Sequence, residues 1–121
     1  DYASAATWVI AACNDAAAGV AAGVAQALGK RLMQLPDRPG LIVLRTLAQL
    51  ANAAADAVTD KVASAQDIDA AMRFGANHPE GPLEWAARVG HARVAAALDT
   101  IAGELKDDMY RPAPFLQAVA P

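Results

Sequence analysis

Few side chains in this sequence could do nucleophilic or metal chemistry, since it has two histidines and one cysteine. Neither His78, in a loop rich in Pro and Gly, nor His91, after a glycine, has a Cys, His or carboxylate at the spacing of a tetrahedral metal site. His78 is interpreted as a solvated loop residue, with contact to a substrate as the alternative. Cys13 ends an apolar segment without a neighbouring cation, which predicts a buried, inert thiol. We therefore expect no metal ligands and no nucleophile.

Four aspartates, Asp56, Asp60, Asp67 and Asp69, could suggest a carboxylate pair for acid–base catalysis. Asp67 is better placed to cap a helix, and the other three suit solvent-facing positions. Catalytic acids also need a pocket that shifts their protonation. The glycines form neither a G-x-G-x-x-G pattern nor a P-loop. The sequence thus predicts no catalytic and no cofactor-binding residue in this chain.

A stripe of polar residues interrupts an alanine-rich helical segment. Its members recur at steps of four, three, four and four: Arg45, Gln49, Asn52, Asp56 and Asp60. Asn52 is the informative member, because Asn is a weak helix former. Either the stripe faces water, or Asn52 forms hydrogen bonds to a loop. We expect the second, with the loop 77–81 as partner, because covered backbone groups in that loop need hydrogen bonds.

Composition excludes several classes of protein. The 121 residues carry 10 Lys and Arg against 13 Asp and Glu, so no basic surface is predicted to bind nucleic acid. No apolar run is long enough for a membrane span. The chain opens with Asp1 and lacks a signal-peptide pattern, which suggests a piece of a longer protein. A single cysteine cannot form an internal disulfide, which favours the reducing cytoplasm.

Residues 1–38 predict a short βαβ remnant with two parallel strands. The apolar run 7–13 predicts a buried strand, Asn14 a helix cap, and residues 15–28 a helix. That helix would place three apolar side chains on one face: Val20, Val24 and Leu28. Residues 31–35 predict the second strand. Two parallel strands alone make a poor sheet, so this unit is interpreted as a remnant or an edge.

Residues 39–121 predict a compact orthogonal helical bundle, which makes the fold class mainly α. The chain contains 33 alanines, and such an excess favours closely packed helices. Helix starts are predicted after Pro39, at Ser64 and at Pro82, with a break at Gly90. Inward-facing residues are predicted at Ile68, Ala71, Met72 and Phe74 and at Val94, Leu98, Ile101 and Leu105, before a docked tail. The tryptophans Trp8 and Trp85 are interpreted as core anchors.

Four segments together carry a resemblance to a known family. Residues 37–45 read D-R-P-G-L-I-V-L-R, residues 52–54 N-A-A, residues 67–72 D-I-D-A-A-M, and residues 77–83 N-H-P-E-G-P-L. In this order they resemble the C-terminal domain of the 3-hydroxyacyl-CoA dehydrogenases. The likeness is strongest to the second, degenerate C-terminal repeat of the long bacterial, phenylacetate-degradation type.

The departures from the family pattern affect the expected role. Leu44 replaces the Asn of P-G-F-I-x-N-R, Ala53 replaces the Glu of N-E-A, and Ala87 and Ala92 replace two aspartates. Leu44 is expected to pack in the core. The resemblance implies that the catalytic His, its Glu partner and the NAD-binding loop belong to another domain. The candidate cleft or structural residues are Leu44, Arg45, Asn52, His78, Pro79, Gly81 and Pro82.

Two functions remain open at this point. The resemblance implies a C-terminal dimerisation and substrate-cleft domain of an NAD-dependent enzyme that oxidises 3-hydroxyacyl-CoA. The expected partners are then a second copy of the chain, an N-terminal dinucleotide-binding domain and an acyl-CoA. The alternative is a stand-alone α-helical interaction domain without an enzymatic role.

Overall fold

The computed structural model describes residues 3–118 and divides the chain into two compact units, with the division between Leu41 and Ile42. The first unit contains the strand β1 (Thr7–Ile10), the helix α1 (Asp15–Ala27) and the strand β2 (Arg31–Gln34). The strands pair in parallel, with Thr7 opposite Arg31 and Ile10 opposite Gln34. The predicted βαβ unit is therefore confirmed.

The helix α1 begins and ends through local chemistry. The side-chain oxygen of Asn14 accepts a 2.8 Å hydrogen bond from the N–H of Ala17, as an N-cap residue does. Gly29 follows the helix with a φ of +64°, a conformation that glycine adopts without strain. The helix buries Ala25. Its three larger apolar side chains, Val20, Val24 and Leu28, are exposed within this unit.

The second unit is helical throughout, as the alanine content predicts. It contains α2 (Val43–Thr59), α3 (Ala65–Gly75), α4 (Pro82–Val89), α5 (His91–Leu105), a 3₁₀ turn (Asp108–Tyr110) and α6 (Pro114–Ala118). The predicted boundaries are correct where a cap marks them. Ser64 accepts a hydrogen bond from the N–H of Asp67, Pro82 occupies the first turn of α4, and Gly90 separates α4 from α5 with a φ of +105°.

Small side chains make the core of the second unit. Four alanines are fully buried and let the helices approach closely: Ala48, Ala51, Ala55 and Ala86. The larger buried side chains are Leu83, Val94, Leu98, Ile101, Tyr110 and Leu116. The helix α5 supplies Val94, Leu98 and Ile101 at the predicted spacing. The predicted docking of the tail is also correct, because Tyr110, Ala113 and Leu116 are buried.

The expected start of α2 and the expected burial of two apolar side chains are wrong. The helix α2 begins at Val43 rather than just after Pro39, because Gly40 and Leu41 both have a positive φ. Leu44 then lies in the first turn, four residues before the first buried position of the helix, and is 41% exposed rather than packed in the core. Phe74 is 85% exposed, since it lies at the end of α3, a helix without a fully buried residue.

None of the helices described in residues 3–118 is long and apolar enough to cross a bilayer.

Candidate functional site

A concavity of about 220 Å³ lies between α2, the loop before α4, and α4 itself. Its lining residues are Leu47, Leu50, His78, Pro79, Glu80, Pro82, Trp85 and Arg88. Most of these are apolar, and His78, Glu80 and Arg88 supply the polar groups. Such a combination is typical of sites that hold an apolar group and orient it through a few polar contacts.

The structure brings together only part of the candidate cleft. His78, Pro79 and Pro82 line the concavity, and Gly81 is the N-cap residue of α4. Leu44, Arg45 and Asn52 lie on α2 and do not line it. Sequence reasoning did not include Leu47, Leu50, Glu80, Trp85 and Arg88 in the candidate cleft. Apolar and charged residues of these types are common on helices, so the sequence around them does not indicate that they line a concavity.

The loop that forms one wall of the concavity is tied back at its start. Asn77 has a φ of +55°, a left-handed conformation that Asn tolerates better than most residues. The N–H of His78 then donates a 3.1 Å hydrogen bond to the carbonyl oxygen of Met72. The loop therefore turns back onto α3 before it reaches α4.

A bidentate ion pair ties the same loop to α4. The Nε of Arg88 donates to the Oε1 of Glu80 at 2.8 Å, and the Nη2 donates to the Oε2 at 2.6 Å. These hydrogen bonds lower the pKa of Glu80 and raise that of Arg88, because each partner stabilises the charged form of the other. Burial of Glu80 opposes the shift, and the charge of Arg73 adds to it. The pair holds both charges at the rim of the concavity.

The expectation that Asp69 simply faces solvent is wrong, because its carboxylate binds backbone N–H groups of α4. Its Oδ1 accepts a 2.8 Å hydrogen bond from the N–H of Leu83, and its Oδ2 accepts a 2.9 Å hydrogen bond from the N–H of Glu84. Both donors belong to the first turn of α4, whereas Asp69 lies on α3. An exposed ion pair, Arg73 to Glu84 at 3.4 Å, joins the same two helices. The separation of 14 residues between Asp69 and Leu83 explains why no local pattern revealed this contact.

Asn52 forms the predicted kind of hydrogen bonds with a different partner. Its Nδ2 donates to the carbonyl oxygen of Arg111 at 2.9 Å, and its Oδ1 accepts from the N–H of Ala113 at 2.8 Å. The expected partner, the loop 77–81, is therefore wrong. The docked tail passes over the polar stripe of α2 and presents backbone groups that the amide satisfies.

Two further members of the polar stripe bind the same tail. The Nε of Arg45 donates a 2.9 Å hydrogen bond to the hydroxyl oxygen of Tyr110, and the guanidinium also lies over the Tyr110 ring. The Nε2 of Gln49 donates to the carbonyl oxygen of Met109 at 2.9 Å. Asp56 is exposed, so only the first half of the stripe contacts the tail. Arg45 and Asn52 thus hold the C-terminal segment in place.

The remaining chemistry-bearing residues are not among those that line the concavity. Cys13 is exposed rather than buried, because β1 ends three residues earlier. His91 packs edge-on against Phe115, with ring centroids 6.1 Å apart. Within residues 3–118, no group of three His, Cys, Asp or Glu side chains could hold a metal ion. The concavity is therefore the candidate ligand site, and its mostly apolar lining suits an apolar group.

Comparison with known proteins agrees with this architecture. Residues 40–121 match the family described as 3-hydroxyacyl-CoA dehydrogenase, C-terminal domain. The chain is 41% identical over 112 residues to 3-hydroxyadipyl-CoA dehydrogenase from Escherichia coli, which covers 92% of this chain and 24% of that protein. The crystal structure of 3-hydroxybutyryl-CoA dehydrogenase from Escherichia coli K12 aligns over 95% of this chain and 25% of its own, with 39% identity and a TM-score of 0.84.

A second solved structure extends the likeness to another bacterium. The (S)-3-hydroxybutyryl-CoA dehydrogenase from Ralstonia eutropha is 28% identical, with a TM-score of 0.86 over 96% of this chain and 42% of its own. The chain spans about a quarter of the length of the Escherichia coli relatives. Because the family match covers the whole second unit and the likeness in structure extends over the first, the chain belongs to the 3-hydroxyacyl-CoA dehydrogenase family through its C-terminal domain.

Proposed function

We propose that the second unit forms a wall of the cleft that holds the acyl group of a 3-hydroxyacyl-CoA in an NAD-dependent dehydrogenase. The nicotinamide cofactor and the acid–base pair then belong to a dinucleotide-binding domain elsewhere in the longer protein. On this proposal the domain boundary lies in the turn near residue 38, and residues 39–121 act as the substrate-side domain. The solitary Cys13 is compatible with the reducing cytoplasm, which we propose as the location.

The observation that carries this proposal is the apolar lining of the concavity. Leu47 and Leu50 lie on one side, and Pro79, Pro82 and Trp85 on the other. Its volume, about 220 Å³, is too small for a whole acyl-CoA and suits a short acyl segment. The large nucleotide part of the ligand would therefore remain outside.

Fluorescence titration of Trp85 tests the proposal directly. The variant Trp8→Phe leaves Trp85 as the single indole, and it is titrated with CoA, butyryl-CoA and hexanoyl-CoA. Each buried methylene contributes about 0.8 kcal/mol, so affinity should rise roughly fourfold per methylene. Equal responses to CoA and hexanoyl-CoA would contradict an acyl site. Leu50→Ala, in the same background, should weaken hexanoyl-CoA binding, whereas the exposed, non-lining Val43→Ala should not.

We also propose that the chain pairs with a second copy. The support is the set of large apolar side chains exposed in the described chain, among them Val20 and Val24 on α1 and Phe74 on α3. A two-fold homodimer is the simplest arrangement that covers such surfaces. Sedimentation equilibrium at tens of micromolar should give twice the chain mass of 12.4 kDa. A single species at the monomer mass would exclude this pairing.

A further inference from the structure

We infer that Asp69 is a positioning residue that sets the shape of the concavity from a helix outside it. The inference rests on the proposed function only for its ligand, since the geometry itself involves α3, α4 and the loop between them. Six of the lining residues lie between His78 and Arg88, and two lie on α2. The segment that carries those six is fixed to α3 by the carboxylate of Asp69.

The contact replaces an ordinary helix cap. An N-cap side chain accepts hydrogen bonds from the second and third N–H groups of its own helix. In α4 the N-cap residue is Gly81, which has no side chain to do so. Asp69 supplies both acceptors instead, one oxygen to Leu83 and the other to Glu84. Its negative charge also complements the positive end of the α4 dipole.

The absence of a side chain at Gly81 is a condition for this contact. A Cβ atom at position 81 would collide with the Cβ, Cγ and Oδ1 of Asp69. The backbone of Gly81 has a φ of −67°, which any residue adopts, so conformational freedom does not explain the glycine. Close approach of the Asp69 carboxylate does explain it. Gly81 and Asp69 together therefore allow the start of α4 to pack closely against α3.

This arrangement has two separable effects. As a cap, Asp69 stabilises α4. As a tether to α3, it fixes where Trp85 and the loop residue Pro79 stand relative to Leu47 and Leu50 on α2. A capping side chain at position 81 would restore the stability of α4. It would not restore the attachment of α4 to α3.

The test exploits that separation in the Trp8→Phe background, with Trp85 emission as the readout. Asp69→Gly should lower the thermal midpoint and move the emission to longer wavelength. Adding Gly81→Ser to Asp69→Gly supplies a local cap in the space that the carboxylate leaves, so the midpoint should recover while the emission stays shifted. Asp99→Gly, at an exposed position inside α5, controls for a glycine in a helix and should leave the emission unchanged.

Recovery of the emission with the local cap would overturn the inference, because Asp69 would then be a helix cap only. Unchanged emission in Asp69→Gly would overturn it as well. If Asp69→Gly does not fold, Asp69→Asn, which keeps one acceptor oxygen, should give a smaller shift in the same direction, and no shift there counts against the inference. Hexanoyl-CoA should bind each shifted variant several-fold more weakly. If the parent binds no hexanoyl-CoA, the proposed function fails, whereas the emission result, which needs no ligand, still decides the role of Asp69.

Discussion

Asn52 and Ala113 lie 61 residues apart and are joined by a 2.8 Å hydrogen bond from the N–H of Ala113 to the Oδ1 of Asn52. Asn52 is 2% exposed, the one polar residue among the buried residues of the described chain. Its Nδ2 donates to the carbonyl oxygen of Arg111 in the same C-terminal segment. One amide in the middle of α2 thus satisfies a backbone acceptor and a backbone donor at the other end of the domain.

Asn52→Ala should therefore destabilise the second unit. The buried N–H of Ala113 and the partly buried carbonyl of Arg111 lose their partner. We expect a cost of about 1–3 kcal/mol, which lowers the thermal midpoint by several degrees. Thermal unfolding followed by circular dichroism measures the change. Asp56→Ala, one turn further along the same stripe and exposed, is the control and should be neutral or slightly stabilising, since Ala is the better helix former. A midpoint for Asn52→Ala at or above the parent's would exclude this role.

Leu44→Ala should have a small effect, because a side chain that is 41% exposed gives up little buried area. We expect a loss of about 1 kcal/mol or less. The matched substitution Leu98→Ala, at a residue that is fully buried in α5, should cost about 2–5 kcal/mol. Chemical denaturation of the two variants separates these magnitudes. Equal losses would place Leu44 in the core after all.

The ion pair between Glu80 and Arg88 should make stability depend on pH in a defined direction. The folded pKa of Glu80 lies below the ordinary value of 4.5, so the stabilisation is complete above that value and is lost as the pH falls through the lowered one. The difference in unfolding free energy between the parent and Glu80→Gln should therefore shrink on acidification below about pH 5. Glu104→Gln, at an exposed position of α5, is the matched control substitution.

High salt should also reduce the difference in unfolding free energy between the parent and Glu80→Gln at neutral pH. The reason is that the Arg88 side chain is 62% exposed, so salt screens the ion pair. A difference that is constant from pH 7 to pH 3 would show that the pair adds nothing to folding.

The isolated chain should neither bind NAD nor oxidise a 3-hydroxyacyl-CoA. The sequence lacks a glycine-rich phosphate loop. Among the residues that line the concavity, the carboxylate of Glu80 is bound to Arg88 rather than to His78, so no histidine–carboxylate pair is formed there for base catalysis. Absorbance at 340 nm, followed with 3-hydroxybutyryl-CoA and NAD, measures the reaction. A turnover above the uncatalysed rate that persists after repurification would contradict this expectation.

The sequence predicts what is decided locally and misses what is decided by distant contacts. The starts of α3 and α4 follow from Ser64 and Pro82, whose effects on the backbone extend over a few residues. The hydrogen bonds of Asn52 and Asp69 reach across 59 and 14 residues. The sequence indicates that Asn52 needs partners, whereas it predicts that Asp69 faces solvent. The concavity depends on how α2 and α4 pack against each other. The sequence around Leu47 or Trp85 does not indicate that packing.

Exposure of apolar residues was the other source of error. Phe74 is assigned by the sequence to the inner face of α3, yet it is exposed, and Val20 lies on the predicted apolar face of α1, which is also exposed. Periodicity identifies a face of a helix, but the neighbouring element that would cover the face is a property of the assembled chain.

The alanine core limits the sequence in one direction. Ala48, Ala51, Ala55 and Ala86 have no atoms beyond Cβ to lose, so truncation at these positions removes little packing. Enlargement is different, because interiors are close-packed and an added methyl group must push helices apart. The substitutions that this core tolerates least are therefore those that enlarge a side chain. These positions require small residues because larger ones do not fit, whether or not the domain binds a ligand.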